Sequence, residues 1–230
     1  MAWDPKGLTF GCEIEMELDP RIELSLSTVS RTLLCLCPKD GRWDAASDAS
    51  LFYGAELRTP WGTVEEWETT VFEDLEAILF AADAVGFGVE ETCGVHIHVG
   101  APPGETWDSP EGRTVIAHFI DRFHQEIDRF EEPWEYRKQH TRPWGYWDTR
   151  TLLEDAEWLQ GYGLLERHQL GYSRYRSVNL FAYPQHGTIE VRWFNGTMEM
   201  TWIRRDLRVL AEIFTSVIAD LACTTAIQTA

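Results

Sequence analysis

Charged side chains spaced two residues apart inside strand-like sequence constrain the fold of this chain more than any other feature. Such pairs occur at Glu13-Ile-Glu15, Glu56-Leu-Arg58, His96-Ile-His98 and Glu190-Val-Arg192. In a β-strand, residues i and i+2 lie on the same side, roughly 7 Å apart, so each stretch presents one charged face. If the four strands share a sheet, these groups converge on one surface. Burying them there is costly unless they pair or hold a cation.

Net charge restricts the partners of the chain. The 38 acidic and 20 basic residues give a formal charge of −18 at pH 7. This charge repels nucleic acid and anionic lipid, and no broad basic patch offsets the repulsion. We therefore expect neither a nucleic-acid partner nor a membrane partner, whereas a divalent cation is favoured by the same charge balance.

Length and composition predict a single domain that spans residues 1–230. The chain is 44% hydrophobic and 13% aromatic, which is enough to bury a full core. Proline and glycine are dispersed rather than gathered into a linker, and no internal repeat is found.

Cysteine usage and the absence of targeting signals predict a cytoplasmic protein. The N-terminal sequence lacks a basic region followed by an apolar run, and no apolar stretch is long enough to span a bilayer. The cysteines are odd in number and lack paired CxxC spacing, which argues against a disulfide framework and against a thiolate zinc site. They are Cys12, Cys35, Cys37, Cys93 and Cys223.

Periodicity predicts an α+β fold. Alternation of polar and apolar residues predicts strands over residues 8–18, near residue 43, and over residues 54–59, 93–100, 173–183 and 187–195. Helical spacing of apolar residues predicts helices over residues 25–36, 63–86, 110–130 and 200–223. The last two strands are joined by a turn at residues 184–187, and such neighbours usually pair antiparallel. Strands with one polar face suit a mainly antiparallel sheet backed by helices.

The polar pairs carry the ligands that magnesium or manganese prefers. Carboxylate-rich sets with one imidazole suit these ions, whereas zinc would recruit thiolates or three histidines. The candidate metal ligands are Glu13, Glu15, Glu56, His96 and Glu190. They exceed the needs of one ion, which is understandable if two or three ions bridge the phosphates of a nucleotide.

Arginines near the last strand would face those phosphates. Arg192, with Arg174 or Arg176 from the neighbouring strand, can offer forked donors to the charge that develops on a transferred phosphoryl group.

Each of the charged pairs also has a simpler interpretation. A single Glu-x-Glu is typical of a solvated strand face, and Glu-x-Arg is an ordinary cross-strand pair worth about 0.2–1 kcal/mol. Their joint occurrence favours a site.

The charged pairs stand within longer motifs whose order resembles the amidoligase family. These motifs are Gly11-Cys-Glu13-Ile-Glu15, Asp48-Ala-Ser50, Gly54-Ala-Glu56-Leu-Arg-Thr-Pro60, Gly94-Val-His96-Ile-His98-Val, Ser177-Val-Asn179-Leu and Gly187-Thr-Ile-Glu190-Val-Arg192-Trp-Phe-Asn-Gly196-Thr197. They cover most of the chain. The family belongs to the carboxylate-amine ligases related to glutamine synthetase and glutamate-cysteine ligase.

The resemblance implies a fold, a reaction and cofactors. The fold is a curved, mainly antiparallel sheet, like the catalytic core of glutamine synthetase, which holds ATP and Mg²⁺ or Mn²⁺ on its inner face. The reaction joins a small-molecule or peptide carboxylate to an amine through an acyl phosphate.

The resemblance also implies roles for individual residues. The carboxylates and His96 named above would hold the metal ions, and His98 would approach the nucleotide phosphates. Arg192 would stabilise the transferred phosphoryl group, with Glu190 beside it in the catalytic set. Asn179 and Asp48 would support the substrate, and Asp48 is the candidate acceptor for the proton of the amine.

Two alternatives to a ligase stay open. A metal-dependent hydrolase would use His96, His98 and carboxylates to activate water and would need no nucleotide. A non-catalytic module would keep the sheet as a binding surface. Residues 132–147, rich in aromatic residues and arginine, could form a lid over the acyl phosphate or a packed surface loop.

Overall fold

The computed structural model describes residues 3–48, 50–139, 141 and 176–228. Within these residues, seven strands form one sheet, and all its pairings are antiparallel. The strands are β1 Thr9–Leu18, β2 Asp44–Ser47, β3 Gly54–Arg58, β4 Phe87–Gly88, β5 Gly94–Gly100, β6 Val178–Asn179 and β7 Thr188–Asn195. Their order is β2-β3-β1-β5-β7-β6, with β4 paired to β1. The strands that carry Glu-x-Glu and His-x-His are therefore neighbours at the centre of the sheet.

Alternation along β1 gives the sheet one apolar and one polar face. Ile14 is buried in the hydrophobic core, whereas Glu13 and Glu15 point to the opposite side, because successive side chains of a strand alternate. The register then sets polar pairs beside one another, with Glu13 opposite Arg58 on β3 and opposite His96 on β5.

A β-bulge between β5 and β7 interrupts this regular register. Two residues of β7, Arg192 and Trp193, oppose the single His96 of β5. The side chain of Arg192 reaches the polar face, while Trp193 packs edge-on against Phe123 on the helical side. The bulge thus lets one strand supply an arginine to one face and an aromatic ring to the other.

The four predicted helices are confirmed, and the rest of the described helical structure is short. The α-helices are α1 Leu26–Leu36, α2 Val64–Glu66, α3 Phe72–Ala84, α4 Pro110–Gln125, α5 Glu135–Lys138, α6 Tyr183–His186 and α7 Met200–Gln228. A π-helical stretch, Trp67–Val71, joins α2 to α3. The helix predicted over 110–130 ends at Gln125, and a 3₁₀ turn, Ile127–Arg129, follows it. None of the described helices is long and apolar enough to cross a membrane.

Side-chain caps explain where two of the helices begin. The Thr63 hydroxyl accepts a hydrogen bond from the backbone N–H of Glu66, and the Glu66 carboxylate accepts one from the N–H of Thr63. The Ser109 hydroxyl likewise accepts from the N–H of Gly112, just ahead of Pro110 at the first helical position. Such caps satisfy N–H groups that have no partner inside the helix.

The apolar face of the sheet packs against the helices through aromatic side chains. Phe119 of α4 stacks on Phe214 of α7 with ring centroids 3.8 Å apart. The indole N–H groups of Trp67 and Trp107 donate to the backbone carbonyls of Phe10 and Val99, at 3.0 and 2.9 Å. These bonds connect the segments that pack on the apolar face to the backbone of β1 and β5.

The predicted hairpin before the last strand is confirmed, but its turn is helical. β6 pairs antiparallel with β7 only at Val178 and Asn179. Leu180–Ala182 then form a 3₁₀ turn, followed by α6, which ends at Gly187 with φ of +69°. The strand predicted over 173–183 was therefore too long at its C-terminal end, and its first three residues lie outside the described part of the chain.

Candidate active site

A cleft of about 370 Å³ opens on the polar face of the sheet. It is lined by residues from β1, β3, β5, β6 and β7 and from the segments that follow β2, β4, α4 and β6. Its lining residues are Glu13, Glu15, Asp48, Ser50, Glu56, Arg58, Thr92, His96, His98, Tyr136, Arg137, Asn179, Ala182, His186, Glu190 and Arg192. Almost all are charged or polar, which distinguishes this cleft from an apolar ligand pocket.

One group of metal-capable side chains joins the three central strands β1, β5 and β7. Glu13, His96 and Glu190 each offer a ligand atom within 4.8 Å of the other two. The Nδ1 atom of His96 lies 3.2 Å from Oε1 of Glu190 and 3.6 Å from Oε2 of Glu13. Glu190 and His96 are almost fully buried. This geometry suits a cation between two carboxylates and an imidazole.

A second group lies on the β3 side of the first. Glu15, Asp48 and Glu56 also offer ligand atoms within 4.8 Å of one another. The carboxylate of Glu15 is oriented by the N–H of Gly94, which donates to Oε2 at 2.7 Å. Asp48 follows β2, and its Oδ1 accepts bonds of 2.7 Å from both the N–H and the hydroxyl of Ser50. The site is therefore built from ordered carboxylates.

Three arginines pair with these carboxylates and balance part of their negative charge. The Nε of Arg58 donates to Glu56 at 2.5 Å, and Nη1 of Arg192 donates to Glu190 at 2.6 Å. Arg137 lies deeper, with a side chain only 3% exposed, and its Nη1 is 3.4 Å from Oε2 of Glu15. Each buried carboxylate thus has a neighbouring cation, which burial of its charge requires.

His98 and Asn179 flank the first group. The Nδ1 atom of His98 is 3.1 Å from the hydroxyl of Thr188, and its Nε2 is 3.3 Å from Oε2 of Glu13. The side-chain amide of Asn179 donates to Oε2 of Glu190 at 2.5 Å. These contacts orient the side chains that would hold the ion.

The carboxylates have pKa values shifted in opposite directions. Burial raises the pKa of Glu13, but the neighbouring His96 and His98 more than offset this, so its pKa is lowered. Burial also opposes ionisation of Glu190, yet Arg192 and the two histidines lower its pKa. Burial, with the charge of Glu13, raises the pKa of Glu56 to about 7.

Buried imidazole nitrogens supply an independent test of whether a metal fits. Among the described residues, Nδ1 of His96 and Nε2 of His98 are buried and have no partner in hydrogen-bonding geometry. Both atoms face carboxylate oxygens at 3.2–3.6 Å. The donor set of carboxylates with an imidazole fits Mg²⁺ or Mn²⁺.

The structure brings most of the predicted site residues together. All five predicted metal ligands line the cleft, as do Asp48, His98, Asn179 and Arg192. Arg176, which precedes β6, does not line it. Arg174 lies outside the described residues. The forked donors beside the carboxylates come instead from Arg58, Arg137 and Arg192.

The sequence analysis did not assign Arg137 to the site, and it also missed five other lining residues with polar side chains, Ser50, Arg58, Thr92, Tyr136 and His186. The signal for Arg137 was the arginine-rich segment over residues 132–147. Its described part packs on β7, where the side chain of Asn195 accepts from the N–H of Trp134 and donates to the carbonyl of Glu132. Residue 140 and residues 142–147 lie outside the described part, so the predicted lid stays a prediction.

Comparisons with known proteins agree with the motifs. A family model described as "Putative amidoligase enzyme" matches residues 35–214. Among solved structures, a cryo-EM structure of Plasmodium falciparum glutamine synthetase matches with 10% sequence identity and a TM-score of 0.47. The match covers 93% of this chain and 52% of that one, so the chain spans about half the length of that protein. No curated protein matches.

Proposed function

The chain belongs to the amidoligase family, and from this premise we propose that it is an ATP-dependent carboxylate-amine ligase. Family membership supports a ligase-like function in general. The observation that carries the finer proposal is the pair of adjacent metal-capable groups on one face, Glu13–His96–Glu190 and Glu15–Asp48–Glu56, with arginines between and beside them.

Divalent ions would be held by Glu13, His96 and Glu190 of the first group and by Glu15 and Glu56 of the second. When bound, Mg²⁺ or Mn²⁺ would supply positive charge to the phosphates of ATP and so reduce the repulsion between two reacting anions. The chain itself contributes the ordered ligands. Glu15 is fixed by Gly94, Glu190 by Asn179 and Arg192, and Asp48 by Ser50.

The reaction that this site suits has two steps. A carboxylate oxygen of the first substrate attacks the γ-phosphorus of ATP, the bond to the bridging oxygen breaks, and ADP leaves. The amine of the second substrate then attacks the acyl carbon, inorganic phosphate leaves, and one proton is released. A free carboxylate is a poor electrophile, so this activation is what ATP provides.

Arg192 is proposed to stabilise the phosphoryl group during transfer. Its Nη1 donates to Glu190, while its Nε is buried without a hydrogen-bond partner among the described residues. A planar guanidinium held in this way offers fixed donors to the charge that develops on phosphate oxygens. Asp48, half-buried at the cleft, is proposed to accept the proton that the amine releases.

Nucleotide turnover tests this proposal. Incubation with ATP, Mg²⁺ and pooled amino acids or peptides should release ADP and phosphate only when substrates are present. Glu190→Gln, which keeps the size of the side chain and removes its charge, should abolish the signal. Glu76→Gln, on the exposed side of α3, is the matched control and should leave it unchanged.

Two outcomes would contradict the ligase. The first is that no ADP or phosphate is released with any substrate pool, although the protein binds ATP in a Mg²⁺-dependent manner. The second is substrate breakdown in the absence of nucleotide, which would favour the metal-dependent hydrolase, because a hydrolase needs only water as a co-substrate.

A further inference from the structure

A second cavity lies beside the end of β7 and outside the cleft described above. Its volume is about 180 Å³, and it opens between β7, the start of α7 and the segment that joins α4 to α5. The described residues that line it do not line the cleft. The proposed ligase reaction therefore leaves this cavity without a role.

Aromatic rings form the walls of this cavity. Trp134, Phe194 and Trp202 line it, and they come from three different segments of the chain. Phe194 is buried, whereas Trp202 is 42% exposed, so the ring of Trp202 stands where the cavity meets solvent. The side chain of Asn195 accepts a hydrogen bond from the backbone N–H of Trp134 and so fixes the backbone that carries this ring.

One carboxylate at this cavity has an oxygen without a donor. Asp206 follows Trp202 by four residues in α7, which places both side chains on one side of the helix. The side chain of Asp206 is only 9% exposed, and Arg205 directs both of its hydrogen bonds to the same oxygen, Oδ1, at 2.8 and 2.6 Å. Among the residues that the structure describes, none donates to Oδ2. Because a buried carboxylate oxygen without a donor is costly, Oδ2 is a position at which a donor would bind.

The charges around the cavity favour a cation. Glu131 also lines it, and burial together with the charge of Glu131 raises the pKa of Asp206 to about 6. At neutral pH, two carboxylates therefore share the single positive charge of Arg205. The guanidinium of Arg205 lies over the ring of Trp202, with its carbon 4.1 Å from the ring centroid, so this ring and Asp206 already hold one cation together.

The free oxygen favours an ammonium over a guanidinium. A guanidinium binds a carboxylate best through both oxygens, and Arg205 already occupies Oδ1 of Asp206. A primary ammonium is compact, carries three donors and needs only one oxygen. Its alkyl chain would lie along the aromatic walls, as the stems of lysine side chains lie on apolar surfaces.

We propose that this cavity binds a primary alkylammonium group, with the ammonium at Oδ2 of Asp206 and the alkyl chain against the rings of Trp134 and Trp202. The inference goes beyond the proposed function and does not depend on it. The side chain of a lysine in a peptide and a free alkylamine share this chemistry, and the experiment distinguishes them.

Titration with n-butylammonium, followed by the indole N–H signals of the ¹⁵N-labelled full chain, tests the proposal. The signals of Trp134 and Trp202 should shift and saturate near neutral pH, and Trp134→Phe and Trp202→Phe assign them. The same concentration of 1-butanol, which has the alkyl chain without the charge, should leave both signals in place. The signal of Trp61, which lines a pocket with Glu13 beside the cleft, reports binding to the cleft carboxylates instead.

Two substitutions separate the carboxylate from the ring. Asp206→Asn keeps the shape of the side chain and should weaken binding about tenfold or more, as expected when a hydrogen bond to a charged group is lost. Trp202→Ala removes one wall at an exposed position and should weaken binding about threefold, as read from the signal of Trp134. Asp220→Asn, at an exposed position of the same helix, is the matched control and should bind as the wild type does. Circular dichroism establishes that each variant folds.

Binding should also follow the ionisation of Asp206. The charged groups that face this carboxylate are Arg205 of the same helix and Glu131, while Cys12 of β1 stays neutral because burial raises the pKa of its thiol. A protonated Asp206 loses its attraction for a cation, so n-butylammonium should bind about tenfold more weakly at about pH 5 than at about pH 7.5. Asp206→Asn should remove most of this dependence.

Three results would overturn the inference. They are the absence of a saturating shift at Trp134 and Trp202, a shift confined to Trp61, and equal affinity of the wild type and Asp206→Asn. Binding of Nα-acetyl-lysine N-methylamide distinguishes the two sources of the ammonium. Tighter binding than that of n-butylammonium would support a lysine side chain in a peptide as the ligand, and weaker binding would support a free alkylamine.

Discussion

Asp206, on the long helix α7, offers a quantitative test of how burial of a carboxylate changes stability with pH. This carboxylate is 6% exposed. Burial raises its pKa from the ordinary value of 3.8 to about 6, with a further contribution from Glu131, while Arg205 opposes the shift. Because the folded state has the higher pKa, it binds the proton more tightly than the unfolded chain. The resulting stability is complete below pH 3.8 and is lost as the pH rises through about 6.

The size of this effect follows from the difference in pKa. A difference of about 2 pKa units corresponds to about 3 kcal/mol over the whole titration, at about 1.4 kcal/mol for each unit. By the same relation, the wild type loses about 2 kcal/mol of this stability as the pH rises from about 4.5 to 8. Asp206→Asn removes the titration and keeps the shape of the side chain. Its free energy of unfolding, relative to the wild type, should therefore rise by about 2 kcal/mol over this interval.

Urea unfolding at the two pH values measures this difference between differences, which cancels any pH-independent effect of the substitution. Asp220→Asn, at an exposed position of the same helix, is the control and should change by less than about 0.5 kcal/mol over the interval. A change below about 1 kcal/mol for Asp206→Asn, or one of opposite sign, would refute the reasoning.

Three further predictions concern packing, capping and reactivity. Phe119→Ala removes a ring stacked 3.8 Å from Phe214, and urea unfolding should show a loss of about 3–5 kcal/mol, against less than about 0.5 kcal/mol for Phe80→Ala at an exposed position. Thr63→Ala removes the capping hydroxyl and should lower the unfolding free energy by about 1 kcal/mol, which Thr63→Ser should largely restore. Iodoacetamide at neutral pH should label the exposed cysteines before the buried ones, because burial raises the pKa of Cys93 to about 11, and peptide mass spectrometry reads the order. The exposed cysteines are Cys35 and Cys223, and the buried ones are Cys12, Cys37 and Cys93.

Each of these three predictions has an outcome that contradicts it. Equal losses for Phe119→Ala and Phe80→Ala would mean that the stack between α4 and α7 does not stabilise the core. An unchanged stability of Thr63→Ala would mean that water replaces the cap without cost. Labelling of Cys93 as fast as Cys35 in the folded protein would mean that the segment just before β5 opens locally to solvent.

Strand periodicity in the sequence was sufficient to predict the face on which the site lies. Glu13 and Glu15 alternate with Ile14, so they share a side in any straight strand, and the same holds for His96 and His98. The start of α2 could also be predicted, because the capping-box spacing from Thr63 is local. Features of this kind depend only on neighbours along the chain.

Arg137 and Arg176 show where such reasoning stops. Arg176 belongs to a stretch with strand-like alternation, but the strand formed there is only Val178–Asn179, and the arginine does not line the cleft. Arg137 stands on the four-residue helix α5 with no distinctive spacing, yet it enters the carboxylate face because Gly94 leaves room. Both outcomes are set by residues more than ten positions away in the chain.

Local patterns along the chain were sufficient to predict the four long helices, most of the longer strands with their polar and apolar faces, and the motifs of the amidoligase family. The tertiary structure was needed to show that Glu13, His96 and Glu190 form one group while Glu15, Asp48 and Glu56 form another. It also decided that a bulge places Arg192 opposite His96. The physical reason is that alternation is a local property of the backbone, whereas strand order, register and the space beside a glycine depend on packing between distant segments.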